Sequence, residues 1–376
     1  MKVIRVVSEL DFGGVEQVLA TSVPAIAQIK DIDVSIIVLG RGGRVAQELI
    51  QQGIKVNVLN LNPRIPNMGL ILKLKQIFLE SNPEVVHSQG AEANFHGILA
   101  ASWAGIKRIV GEEIGIPNHH SYWKYIFRWV YSKAHVIIAI SLAVKTRIVG
   151  LKEVESGKIK VIYNPVMPIT NNFCTSRNES MEIRKIQFDY QCQRNIADKP
   201  FVFISTCRLV PIKNLDRVIS AFLELSIDYA SRSLELWIVG DGPLKENLVR
   251  KLKNNGLMNS VKLWGYQNDI FYFLKHADVF VLLSLSEGSS VSLAEAMVAG
   301  LPSVVTSSGG ASELLGESRS GILVDPLDLS EIKKAMSFIL NMTELERIEM
   351  GKRAQNEIKK FHIDKYLKSI ISIYLS

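Results

Sequence analysis

Cysteine is scarce in this chain: Cys174, Cys192 and Cys207 are the three among 376 residues, and they do not cluster. That spacing argues against a disulfide framework or a zinc site and for a reducing compartment. Long apolar runs are missing too. No uninterrupted apolar stretch reaches the ~18 residues of a membrane span. The opening "MKVIRVVSELDFGG" has too short an apolar run, soon followed by acids, for a signal peptide. The resulting expectation is a cytoplasmic protein. Nor is there a GxGxxG fingerprint or a nucleic-acid-binding motif, although the net charge of +7 and the pI near 9.1 suit an anionic partner such as a charged ligand, a membrane surface or a nucleic acid.

What is present is an ordinary globular composition, 47% hydrophobic and 22% charged, at a length that accommodates two domains. Short β-branched runs alternate with helical patterns in two blocks. The first carries "VIRVV", "DVSIIVLG", "IKVNVLNL", "EVVHS", "RIVG", "HVIIAIS" and "IKVIY"; the second carries "FVFISTCRL", "LELWIVG", "VKLWG", "VFVLLS", "PSVVTS" and "GILVD". Between them, residues 166–199 are polar and rich in Pro and Asn without a sustained period, which reads as a linker. Two such series in tandem predict an α/β protein of two doubly wound, Rossmann-like domains, 1–165 and 200–361, facing across a cleft in which a ligand binds.

The most informative stretch is "SLSEGSSVSLAEAMVAGLPSVVTSSGG", residues 284–310. Its two glutamates, Glu287 and Glu295, stand eight positions apart around a Gly-Ser-Ser turn. The preceding run reads as a strand buried on both faces, and from Ser290 the pattern turns helical, with Gly300-Leu301-Pro302 as its stop. The crevice beyond a parallel strand is where ligands bind, and the first amides of the next helix are unpaired donors that suit a phosphate. Glu287 then sits at the lip, and Glu295 lies among Leu293, Ala294, Ala296 and Met297, where a carboxylate needs donors such as vicinal sugar hydroxyls. On spacing alone, a helix cap and an ordinary ion pair explain the two glutamates equally well.

Other loops bear on that choice. "STCRLVPIKN" offers Arg208 and Lys213 to the same crevice, where two cations neutralise a diphosphate and stabilise a leaving group. Turn-making by itself accounts for "GDGP", including Gly240. Tyr266 in "LWGYQND" faces a nucleobase or simply packs. In the first block, Gly13-Gly14 allow close backbone approach at a helix start. His87 and His96 read as structural. Glu112 and Glu113 in "VGEEIGIPNHH" fall at a strand end, followed by His119 and His120, and fit either a sugar-orienting pair or a solvated loop. "HHSYWKYIFRWVYSKAH" combines Lys124, Arg128 and Lys133 with six aromatics and no acid. It fits a membrane interface with anionic lipids and, equally, a helix packed on the sheet with basic tips.

In the order in which they occur, the N-terminal "FGG", "CRLVPIKN", "VGDGP" and "EGSSVSLAE" followed by "AMVAGLPSVVTSSGG" resemble retaining glycosyltransferases of the GT-B fold, family 4, over nearly the whole chain. The resemblance implies that Glu287 lies against a donor sugar and that Glu295 binds the nucleotide ribose. It implies that Arg208 and Lys213 hold the diphosphate, assisted by Gly288, Ser289, Ser290 and Val291 at the helix start. Gly13, Gly14, Gly240 and Tyr266 belong to the implied donor site, and the C-terminal helix 362–376 completes the first domain. The implied reaction moves a hexose or N-acetylhexosamine from a nucleotide diphosphate, uridine being the commoner base, to an acceptor hydroxyl with retention. A front-face route is favoured, and no metal or other cofactor is implied.

The chain departs from the pattern at "GEEIG", where many relatives carry a histidine. The contact to the donor sugar then falls to Glu112 or Glu113, with Glu113 as a candidate catalytic acid, or is absent. Cys207 replaces a glycine before Arg208. The basic, aromatic stretch makes a polyprenyl-diphosphate-linked saccharide at the inner membrane face the expected acceptor, as in building capsule or lipopolysaccharide, with peripheral membrane contact. Two rival readings are a nucleotide-sugar epimerase of the same architecture and a non-catalytic nucleotide-sugar-binding scaffold.

Overall fold

A computed structural model describes residues 1–11, 13–120, 122–166 and 199–376. The expected linker, apart from its two end residues, lies outside them, as do Cys174 and Cys192. Contacts divide the described residues into two compact units. One holds 1–166 with 287–291 and 360–376; the other holds 199–286 and 292–359.

Each of the thirteen expected strands forms. In the first unit they are β1 (Lys2–Val7), β2 (Asp33–Val38), β3 (Lys55–Val58), β4 (Val85–Gln89), β5 (Arg108–Glu113), β6 (Val136–Ala139) and β7 (Ile159–Val161). They make one parallel sheet in the order β3-β2-β1-β4-β5-β6-β7. The second unit has β8 (Phe201–Thr206), β9 (Leu234–Val239), β10 (Val261–Gly265), β11 (Val279–Leu282), β12 (Ser303–Thr306) and β13 (Gly321–Val324), ordered β10-β9-β8-β11-β12-β13. Both are doubly wound, with the chain reversing direction between β1 and β4 and between β8 and β11. Two Rossmann-like domains of this kind make the GT-B fold. Helices start where side chains supply the missing acceptors: Asn67 accepts from the Leu70 amide, Ser141 from Val144, and Thr343 forms a capping box with Glu346.

The first sheet is covered on both faces. Helices Met68–Ser81, Ala91–Trp103, Trp123–Ser132 and Leu142–Gly150 close one face over Ile4, Val6 and Ile137. Helices Gly14–Ala27, Arg44–Gln51 and Ile363–Leu375 close the other over Val3, Val7 and Val110. The C-terminal helix returns through a bridge between Val166 and His362, with the Val166 amide donating to the Phe361 carbonyl at 2.9 Å.

Successive side chains of a strand point to opposite faces, so Glu112 and Glu113 part company. Glu112, 1% exposed, lies on the face covered by the C-terminal helix. Arg5 Nη2 reaches its Oε2 at 3.3 Å and Gln89 Nε2 donates to its Oε1 at 3.1 Å, while His87 Nε2 lies 2.9 Å from Oε2. Arg5 also donates to Gln89 Oε1 at 3.0 Å and to the Tyr366 hydroxyl at 3.4 Å, and His87 Nδ1 is 2.7 Å from the Tyr374 hydroxyl. Burial alone would raise the Glu112 carboxyl, yet the His87 ring and the Arg5 charge outweigh it and hold the group below its ordinary value. Burial and the Arg5 charge push His87 down to about 4, so its ring is neutral at pH 7. Glu112 was expected as a donor contact. Its carboxylate is committed instead to this interior network, which ties β1, β4, β5 and the C-terminal helix together.

A buried pair broken on one side leaves an uncompensated charge, whereas removing both charges does not. Arg5→Met is expected to cost about 3–5 kcal/mol of first-domain stability. Arg5→Met combined with Glu112→Gln is expected to recover most of that in urea unfolding.

Candidate active site

The second sheet reverses direction between β8 and β11, and the loops leaving the carboxyl ends of those strands carry the expected polar residues. After β8 the chain runs through Arg208, which is exposed, into a single 3-10 turn, Pro211–Lys213. That turn is tied to the strand on the other side of the switch, because the Leu285 amide donates to the Ile212 carbonyl at 2.8 Å. Asn214 ends the turn in the left-handed region at φ 54° and donates to the Pro326 carbonyl at 2.9 Å. Arg208 and Lys213 therefore leave a braced loop. Each takes part in interactions within the protein.

The neighbouring "GDGP" loop has a role visible in its geometry. The Leu209 amide donates to the Asp241 carbonyl at 2.9 Å and the Leu244 amide to the Leu209 carbonyl at 3.1 Å. Gly240 has φ 142°, and a Cβ there would sit 2.0 Å from the Cys207 carbonyl oxygen. Only glycine lets the two loops meet so closely. The helix that follows starts at Lys245, after Leu244 has spent its amide on Leu209. Tyr266, after β10, is substantially exposed.

Beyond β11, Glu287 is partly buried and Ser290 buried, and the helix Val291–Ala299 follows directly. Gly288, Ser289, Ser290 and Val291 occupy the approach to its amino end. Glu295 lies one turn in, its neighbours Leu293, Ala294, Ala296 and Met297 all buried. Desolvation raises its carboxyl to about 7, and among the described residues no charge or hydrogen bond offsets that. Acids perturbed by burial in this way cluster at functional sites. The hydroxyls of Ser205, Thr206 and Ser284, buried at this same edge, also lack partners among the described residues. Small hydroxyls at strand ends are too common for the sequence to single these out.

In the first unit, Gly13 and Gly14 stand at the start of helix Gly14–Ala27, with Gly13 capping it at φ 155°. Glu113 lies beneath the opposite face of the sheet from Glu112. It is 4% exposed, with the Tyr131 hydroxyl donating to it and Asn94 Nδ2 3.1 Å away. Burial lifts its carboxyl to about 7 despite these donors. His119 Nδ1 lies 2.8 Å from Glu153 Oε1, and its ring stacks on Phe127 at 3.9 Å. Asn94, Tyr131 and Glu153 carried no signal in the sequence, because nothing linear brings them to Glu113 and His119.

Two family models match this chain: Glycosyltransferase Family 4 over residues 12–168 and Glycosyl transferases group 1 over residues 187–357. The chain is a glycosyltransferase, with a Glycosyltransferase Family 4 domain followed by a Glycosyl transferases group 1 domain. This glycosyltransferase is 27% identical over 321 residues to the Escherichia coli UDP-Gal:alpha-D-GlcNAc-diphosphoundecaprenol alpha-1,3-galactosyltransferase, covering 83% of this chain and 80% of that one. It is 28% identical over 317 residues to the N-acetyl-alpha-D-glucosaminyl L-malate synthase of Bacillus anthracis, covering 82% and 78%. Its fold matches that of Anabaena HepE, solved with UDP and glucose, at a TM-score of 0.81 and 22% identity over 100% of both chains.

The raised Glu295 carboxyl has a sign that can be tested in the ligand-free glycosyltransferase. A carboxyl whose pKa rises from 4.5 to about 7 on folding contributes most stability below pH 4.5 and loses it as pH climbs through 7. Glu295→Gln is therefore expected to raise the melting temperature at pH 8 by about 4 °C or more and to change it little near pH 4.5.

Proposed function

We propose that this glycosyltransferase transfers a hexose or N-acetylhexosamine from a UDP-sugar to a hydroxyl of a lipid-linked saccharide, with retention at the anomeric carbon, in bacterial surface polysaccharide synthesis. What supports the donor half is that the loop carrying Arg208 and Lys213 follows β8 while helix Val291–Ala299 follows β11, the two strands that flank the switch of the second sheet. Ligands of doubly wound sheets bind at that place, and a helix start together with two cations suits a diphosphate. Glu295, a partly buried acid short of donors, suits the ribose diol. The Escherichia coli relative's name pairs a UDP-sugar with an undecaprenyl-diphosphate saccharide, which supports the acceptor class.

In this reading the bond between the sugar's anomeric carbon and the β-phosphate oxygen breaks while the acceptor oxygen bonds to the same face. The acceptor proton passes to the departing phosphate oxygen. Arg208 and Lys213 stabilise the charge that grows on the diphosphate, and Glu287 holds the sugar at the lip. Positioning and preformed charge then supply most of the rate enhancement, and no metal is assigned a part. Glu113, bonded to Tyr131 and Asn94, is assigned to tie β5 to helices Trp123–Ser132 and Ala91–Trp103 rather than to touch substrate.

Calorimetric titration with UDP, GDP and ADP is expected to show UDP binding most tightly, with affinity falling roughly 10- to 100-fold in Glu295→Ala as a charged hydrogen-bond acceptor is lost. Arg208→Ala and Lys213→Ala are each expected to lower kcat by about 10²–10³, with product NMR showing the donor's anomeric configuration preserved. Conversion of the UDP-sugar without an acceptor would point to an epimerase. Nucleotide binding without turnover on any acceptor would point to a scaffold.

A further inference from the structure

We propose that the outer surface of the helices covering one face of the first sheet, centred on Trp123–Ser132, docks on an anionic lipid bilayer. The sequence leaves open whether the aromatics of this segment cover the sheet or face outward. The structure splits them. Phe127, Val130 and Tyr131 are buried against the sheet, whereas Tyr122, Tyr125 and Trp129 point away, 61%, 62% and 49% exposed. The core is already filled from the other side of the helix, so these outward rings are not needed for packing.

Their surroundings identify the occupant. Lys124 Nζ lies 5.0 Å from the centre of the Tyr125 ring, and Lys133 Nζ lies 5.8 Å from that of Trp129. Arg128, on the same exposed side, is a third cation. From Ile114 to Lys152 the chain has six Lys and Arg and not one Asp or Glu. Leu142, at the start of the next helix, and Trp103, at the end of the helix packed alongside, are exposed as well. Rings that are apolar at the body and polar at the edge, with cations held over them, match the headgroup boundary of a bilayer. The absence of acids removes the repulsion that anionic headgroups would otherwise meet. An exposed surface of this kind would be costly to keep without a partner.

The inference rests on the lipid-linked acceptor reading for its purpose, since docking would bring the first domain to an acceptor anchored in the membrane. None of the residues it uses belongs to the transfer site, so the two can fail separately. The test is cosedimentation of the full chain with vesicles that contain no acceptor, either phosphatidylcholine alone or phosphatidylcholine with phosphatidylglycerol. Binding is expected only to the anionic vesicles and is expected to weaken steeply with salt. Replacing Lys124, Arg128 and Lys133 together by Gln is expected to lower the partition coefficient roughly 100-fold. Tyr125→Ser with Trp129→Ser is expected to lower it at least tenfold while leaving UDP affinity and the circular dichroism spectrum unchanged. Equal binding of neutral and anionic vesicles would overturn the proposal, as would full binding by both variants. So would a wild-type dimer in solution that the ring variant converts to a monomer, because the surface would then belong to a second copy of the chain. If the vesicles bind and no UDP-sugar is ever consumed, the docking face stands and the transferase reading falls.

Discussion

A parallel sheet closed by helices on both faces has almost no interior room for polar groups, and that constraint governs this molecule. In both domains the central strands are buried from end to end, so polar chemistry collects where strands finish and helices begin. Those carboxyl-terminal edges offer free amides, a favourable dipole and loops that tolerate strained glycines. Arg208, Lys213, Glu287 and Glu295 all leave the second sheet at such an edge, and Gly13-Gly14 leave the first in the corresponding place.

The first sheet also shows what happens when charge does enter the interior. Arg5 and Glu112 are tolerated in the middle of parallel strands because each desolvated charge finds the other, and because Gln89, His87, Tyr366 and Tyr374 take up the remaining hydrogen-bonding capacity. Two of those partners come from the last helix of the chain, which reaches the first domain only after the second has been made. The network thus joins the two ends of the sequence within one domain. Glu113, one residue on, faces the opposite layer, where the Tyr131 hydroxyl and the Asn94 amide donate to it and burial prevails. Its carboxyl rises to about 7 where that of Glu112 falls. Adjacent glutamates on one strand differ because the pleat sends them to different faces.

Glu295 illustrates the tension between stability and binding. Its helix is apolar enough to bury Leu293 and Met297, and an acid among them costs the ligand-free protein stability at neutral pH. A neutral residue there would remove that cost. An acid kept at that cost agrees with the proposed contact to a ligand's hydroxyl groups.

The strands and the reversal of each sheet were legible in the sequence, because β-branched runs alternating with amphipathic segments admit few other arrangements. The signature loops were legible for a related reason: Gly13-Gly14, the cationic pair and the spaced glutamates are local features that survive in linear order. The sequence by itself therefore determined the fold class and marked the loops that the proposed function uses. Only the tertiary structure decided what Glu112 and Glu113 do, which aromatics of helix Trp123–Ser132 face outward, and why Gly240 must lack a side chain. Those outcomes depend on residues far apart in the chain, Arg5 with Tyr366 or Asn94 with Tyr131, and on which face of a strand or helix meets its neighbour. Burial and charge pairing are properties of that three-dimensional neighbourhood, and no local pattern encodes them.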